Sequence, residues 1–94
     1  MSFQDAIKVL REAKPNRLIW YGFEYKDFYI FAVAADMQYI LGDGALTWYS
    51  VNKQSKAVEF FDYYGRSLFN GEYDILDAAK SRVAVDITQE QLES

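Results

Sequence analysis

Arg17-Leu18-Ile19-Trp20-Tyr21-Gly22-Phe23-Glu24-Tyr25-Lys26-Asp27-Phe28-Tyr29-Ile30-Phe31-Ala32-Val33-Ala34 decides the fold of this chain. Two runs rich in aromatic and β-branched residues flank a polar pair. Such runs favour strands. Lys26-Asp27 is a tight turn between them, although it lacks the Gly of the best hairpin loops. The expected element is an antiparallel hairpin, Arg17–Tyr25 with Phe28–Ala34.

Aromatic residues stand side by side in this stretch and beyond it: Trp20–Tyr21, Phe28–Tyr29, Trp48–Tyr49, Phe60–Phe61 and Tyr63–Tyr64. Neighbouring side chains on a strand point to opposite faces. Leu18, Trp20 and Gly22 are therefore expected on one face, with Ile19, Tyr21 and Phe23 on the other. The second strand divides into Phe28, Ile30 and Ala32 against Tyr29, Phe31 and Val33. Leu46, Trp48 and Ser50 oppose Thr47, Tyr49 and Val51 in a third strand. None shows the apolar/polar alternation of a sheet with one wet face. A chain this short is expected to cover one face with its own helix and to leave the second for something else. Two covers compete for it: a partner or ligand, or the chain's own apolar loops folded back.

The helix comes first. Ser2 and Asp5 make a capping-box-like start, and Phe3, Ala6, Ile7, Leu10 and Ala13 recur at helical spacing. Pro15 and Asn16 end it, which predicts an amphipathic helix over Phe3–Lys14. After the hairpin, Asp36–Ala45 reads as a loop with a Gly42-Asp43-Gly44 turn, made unusually apolar by Met37, Tyr39, Ile40 and Leu41. Leu46–Val51 and Ala57–Phe61 are strands around the polar turn 52–56. An irregular stretch holds Tyr63, Tyr64, Leu68 and Phe69. Glu72–Arg82 fits a short helix with acids early and bases late, Val83–Ile87 a short strand, and Thr88 with Gln91 a cap for a final turn. The expected fold is a single α+β domain over 1–94. Its N-terminal helix packs on a four- to five-stranded, mainly antiparallel meander sheet, followed by a short C-terminal helix or strand.

Composition removes several functions. The chain has 94 residues, with no Cys and no His. Disulfides, thiolate metal sites and Ser-His-Asp or Cys-His catalysis are thereby excluded. Net charge is −4, from 14 acidic and 10 basic residues, and the charges are dispersed. Phosphate backbones need clustered cations, so no nucleic-acid partner is expected. The first residues lack the regions of a signal peptide, and no apolar run approaches the ~18 residues of a membrane span. A cytoplasmic protein without membrane contact is the expectation.

Aromatic content is 18%, and the rings supply the candidate site. Trp20, Tyr21, Tyr29, Phe31, Trp48, Tyr49 and Phe61 form the expected interaction or ligand face. Three exposed rings would present ~450–750 Å², at or above the ~300–600 Å² of the largest patch on a typical monomer. The leading expectation is a non-catalytic protein-interaction module, a homodimer or a binder of another protein. The alternative is a small apolar ligand held by Tyr21, Tyr29, Trp48 and Tyr49. A third is an enzyme using paired carboxylates, Asp74 with Asp77 or Asp36 with Asp43. Solvated surface acids explain those pairs more simply. No catalytic residue, metal ligand or cofactor is assigned.

The segment Trp48-Tyr49-Ser50-Val51-Asn52-Lys53-Gln54-Ser55-Lys56-Ala57-Val58 resembles hairpins of small bacterial α+β domains, including immunity-like and peptidase-propeptide-like ones. The resemblance spans little more than that hairpin. It implies a small bacterial or phage interaction domain and carries over no functional residues.

Overall fold

A computed structural model describes residues 1–34 and 46–93. The expected Asp36–Ala45 loop, with its Gly42-Asp43-Gly44 turn and its Asp36 and Asp43 carboxylates, lies outside the described residues.

Helix α1 runs Phe3–Ala13. Its start is the capping box that Ser2 and Asp5 predict: the Asp5 N–H donates to Ser2 Oγ at 3.1 Å, and the Ser2 N–H donates to the Asp5 carboxylate at 3.2 Å. Two orphan donors of the first turn are thereby satisfied. The bond from the Ser2 backbone also holds the Asp5 carboxyl below its ordinary value. At the far end the Lys14 N–H donates to the Leu10 carbonyl at 2.8 Å. Ala6, Ile7 and Leu10 form the buried stripe.

Strands β1 (Ile19–Tyr25), β2 (Phe28–Val33), β3 (Thr47–Asn52) and β4 (Val58–Phe60) make an antiparallel meander. Two residues, Val83–Ala84, add β5 beside β1. The order across the sheet is β4-β3-β2-β1-β5. Lys26 sits in the left-handed region at φ 53, which is how Lys26-Asp27 turns the chain without glycine.

One face belongs to α1. Ala6, Ile7 and Leu10 pack there on Phe31, Val33, Tyr49 and Val51, matching the sets expected for β2 and β3. In β1 the expected set is corrected. Ile19 lies on the α1 face, whereas Tyr21 and Phe23 lie on the other. The register shifts between Ile19 and Tyr21, and one extra residue in a strand reverses which way its side chains point.

The second face is also covered from within. Phe23, Tyr25, Ile30, Ala32 and Trp48 are buried there under Phe61, Ile75 and Ala79. The expectation that a chain of this length leaves this face to an outside cover is thus corrected, and the folded-back stretch supplies the cover. That stretch is more regular than its glycines suggest. Gly65–Phe69 is a π-helical turn, closed by the Asn70 N–H on the Gly65 carbonyl at 2.9 Å. Asp62 starts it by accepting the Gly65 N–H at 3.0 Å. Helix α2 follows at Asp74–Ala79.

The C-terminal helix α3 is Gln89–Glu93. Thr88 and Gln91 cap it reciprocally, as their spacing predicts, at 2.8 and 3.0 Å. The fold is α+β, with the sheet between α1 on one side and residues 61–79 on the other. Among the described residues, no helix is long and apolar enough to cross a membrane.

Candidate functional site

The seven rings expected to form one face are not brought together. Tyr29, Phe31 and Tyr49 lie on the α1 side, while Tyr21, Trp48 and Phe61 lie on the α2 side. Phe31, Trp48, Tyr49 and Phe61 are buried. On the α1 side, Phe3 meets Phe31 at 5.3 Å and Tyr29 edge-on at 5.8 Å. The Tyr29 hydroxyl donates to the Met1 carbonyl at 3.1 Å. The four residues expected around an apolar ligand are split in the same way. Tyr21 and Trp48 stand on the opposite side of the sheet from Tyr29 and Tyr49.

The α2 side holds a connected ring cluster. Trp48 stacks on Tyr63 at 4.9 Å and meets Tyr64 edge-on at 5.0 Å. Its indole N–H donates to the Tyr21 hydroxyl at 3.2 Å. Arg82 lies over the Tyr21 ring at 5.8 Å. Burial raises the hydroxyl pKa of both Tyr21 and Tyr63 above the ordinary tyrosine value, against the opposing pull of the Arg82 charge.

Beside this cluster opens a groove of about 380 Å³. Trp20 and Tyr21 line it from β1, Tyr63 and Tyr64 from the segment after β4, and Arg82 from the chain after α2. Four leucines and Ala79 are the other described residues of its walls. Adjacent strand residues ordinarily face opposite ways, and the bulge at Trp20 is what turns it and Tyr21 toward one groove. The indole N–H of Trp20 is buried and has no hydrogen-bond partner among the described residues.

A second feature is the outer surface of the segment that forms this cover. Six large hydrophobic residues are at least half exposed among those described, and four of them fall in the ten positions 64–73. These are Tyr64 at 54%, Leu68 at 53%, Phe69 at 84% and Tyr73 at 64%. The π-helical turn sets them there. Ser67 points inward, donating its hydroxyl proton to the Tyr63 carbonyl at 2.6 Å, while Leu68 and Phe69 turn out. A polar clamp fixes the segment on β1. Arg66 donates to both oxygens of Glu72, at 3.2 and 3.0 Å, and the Tyr25 hydroxyl donates to Glu72 at 3.0 Å. The Arg66 bonds, then the Tyr25 bond, hold the Glu72 carboxyl below its ordinary value.

Sequence reasoning passed over Arg82, Tyr63, Tyr64, Leu68 and Tyr73 as site residues. The available signal was the i,i+4 pairing of Tyr63 with Ser67 and of Tyr64 with Leu68, which is helical. Asp74 and Asp77, the acid pair, stand exposed on α2. Asp77 is paired with Lys80 at 3.2 Å. Among the described residues no group of His, Cys, Asp and Glu is arranged to hold a metal ion. No protein-family model, curated protein or solved structure matches this chain.

Proposed function

We propose that this chain is a small non-catalytic protein-interaction module that self-associates through the outer surface of residues 64–73. The observation that carries this reading is the concentration of exposed apolar side chains there: Tyr64, Leu68, Phe69 and Tyr73. A π-helical turn is rare and is frequently found at functional sites, and this one aims Leu68 and Phe69 at solvent. The sheet faces expected to associate are filled by the chain's own helices, so the contact moves to the outside of the cover.

A second copy is the occupant best suited to it. An apolar patch is its own complement, which a two-fold axis exploits. The Arg66 charge on the same segment is already taken by Glu72, leaving apolar contact as the main attraction. These four side chains expose roughly 400–500 Å². That is below the ~800 Å² per partner of a stable interface and falls in the transient class. The dimer is therefore weak and concentration-dependent. A cytoplasmic location goes with this reading, because a chain without cysteine gains nothing from an oxidising compartment.

Sedimentation velocity over a concentration series tests it. The expected result is a sedimentation coefficient that rises with concentration for the natural chain and stays flat for Phe69→Ser with Tyr73→Ser. A monomer at every concentration overturns the reading. A second reading, small-ligand binding, is favoured by the groove beside Trp20.

A further inference from the structure

The nitrogen-bearing side chains at the groove are Trp20 and Arg82. An indole N–H and a guanidinium donate hydrogen bonds and cannot accept them. The Tyr21 oxygen already accepts from Trp48 and keeps its own proton to give. Arg82 donates to the Ala79 carbonyl at 3.2 Å and has no carboxylate partner among the described residues. The Trp20 N–H is enclosed by the protein and has no acceptor among the described residues. Among the described residues, no Asp, Glu, Asn or Gln side chain lines the groove. Tyr63 and Tyr64 bring hydroxyls that can donate or accept, and the other described walls are aliphatic side chains and ring faces.

A guanidinium at an apolar groove, with no carboxylate partner among the described residues, favours a ligand that carries a carboxylate. The volume, about 380 Å³, lies at the small end of the ~300–1,000 Å³ range of ligand sites. It suits one or two fused rings and is too small for a nucleotide cofactor. Flat walls of tryptophan and tyrosine favour a flat occupant.

We propose that this groove binds a small aromatic carboxylate, its ring against Trp20, Tyr63 and the leucines and its carboxylate on Arg82. The proposal goes beyond self-association and stands independently of it. Tyr64 and Leu68 border both surfaces, so the titration is run dilute, with the chain monomeric.

The probe is 1-naphthoate, with 1-naphthalenemethanol as its neutral counterpart. The chain has two tryptophans, so a ¹⁵N correlation spectrum shows two indole signals, and Trp20→Phe identifies which is which. The expected result is a saturable shift of the Trp20 indole signal with naphthoate. The alcohol binds about ten-fold more weakly, the worth of a hydrogen bond to a charged group. Arg82→Gln loses a similar factor for naphthoate and leaves the alcohol unchanged. No saturable shift, or equal affinity of acid and alcohol for the natural chain, overturns the proposal. The comparison of the two probes needs no variant and decides the question even if Arg82→Gln fails to fold.

Discussion

Ile19 and Asp86 hold each other by two hydrogen bonds. The Asp86 N–H donates to the Ile19 carbonyl at 2.9 Å, and the Ile19 N–H donates to the Asp86 carboxylate at 2.8 Å. Arg11 of α1 grips the same carboxylate with both terminal nitrogens. Helix α1, the start of β1 and the C-terminal segment thus meet at one side chain, next to the bulge that turns Trp20 into the groove.

Replacement of Asp86 separates these roles. Asp86→Ala leaves the N–H of buried Ile19 without an acceptor and is expected to cost about 1–3 kcal/mol. Asp86→Asn keeps an acceptor and loses the ion pair, worth about 0.5–1 kcal/mol for a partly exposed pair. Urea unfolding measures both. Burial raises the Asp86 pKa, and the bonds from Arg11 and Ile19 outweigh it, so the carboxyl lies below its ordinary value. The stability this gives is present above the ordinary aspartate value of about 4 and lost as pH falls through the lower folded value. Asp86→Asn removes that acid sensitivity.

Gly22→Ala tests the fit of α1 on the sheet. A Cβ at Gly22 would stand 2.5 Å from two ring atoms of Phe31. Phe31 is fully buried, with the Phe3 ring 5.3 Å away, so it has no room to yield. The expected loss is about 1–3 kcal/mol, read as a lower urea midpoint at unchanged slope.

Tyr21 and Tyr63 govern behaviour in alkali. Burial raises both above the ordinary tyrosine value. A group whose folded pKa is raised favours the folded state below its unfolded value, about 10, and that contribution is lost as pH rises through the folded value. Absorbance titration of the phenolates is expected to show late ionisation from Tyr21 and Tyr63, and Tyr63→Phe to remove its late step and lessen alkaline unfolding.

Lys56 offers a gain. It occupies the left-handed region at φ 63 in the turn between β3 and β4, where its N–H donates to the Asn52 carbonyl at 2.9 Å. That conformation costs an L-residue about 1–2 kcal/mol, and glycine gives back about 0.5–1 kcal/mol in chain entropy. Lys56→Gly is expected to stabilise by about 0.5 kcal/mol and to raise the thermal midpoint.

What was legible in the sequence was local. The Ser2–Asp5 box, the Lys26-Asp27 turn and the Thr88–Gln91 cap each join residues a few positions apart, and each formed as their spacing predicts. The face assignments of β2 and β3 were equally legible, because strand alternation needs no distant information. The bulge in β1 was not. Its N–H is taken by Asp86, 67 positions further on, and nothing near Trp20 announces it. The second cover was half hidden. Gly65 and Asn70-Gly71 read as loop punctuation, but Gly65 serves the π-helical turn, where a side chain would collide with Asp62. The candidate rings shared the limits of β1 and the cover: doubled aromatics say that both faces are apolar, not which element buries each.

Self-association through residues 64–73 is the central claim, and a dilution series followed by backbone amide spectra tests it most directly. From millimolar to low micromolar chain, the account predicts progressive shifts concentrated at Tyr64, Leu68, Phe69 and Tyr73, with α1 and the β2–β3 pair unmoved. Spectra that do not change on dilution, or shifts centred on another surface, would contradict it.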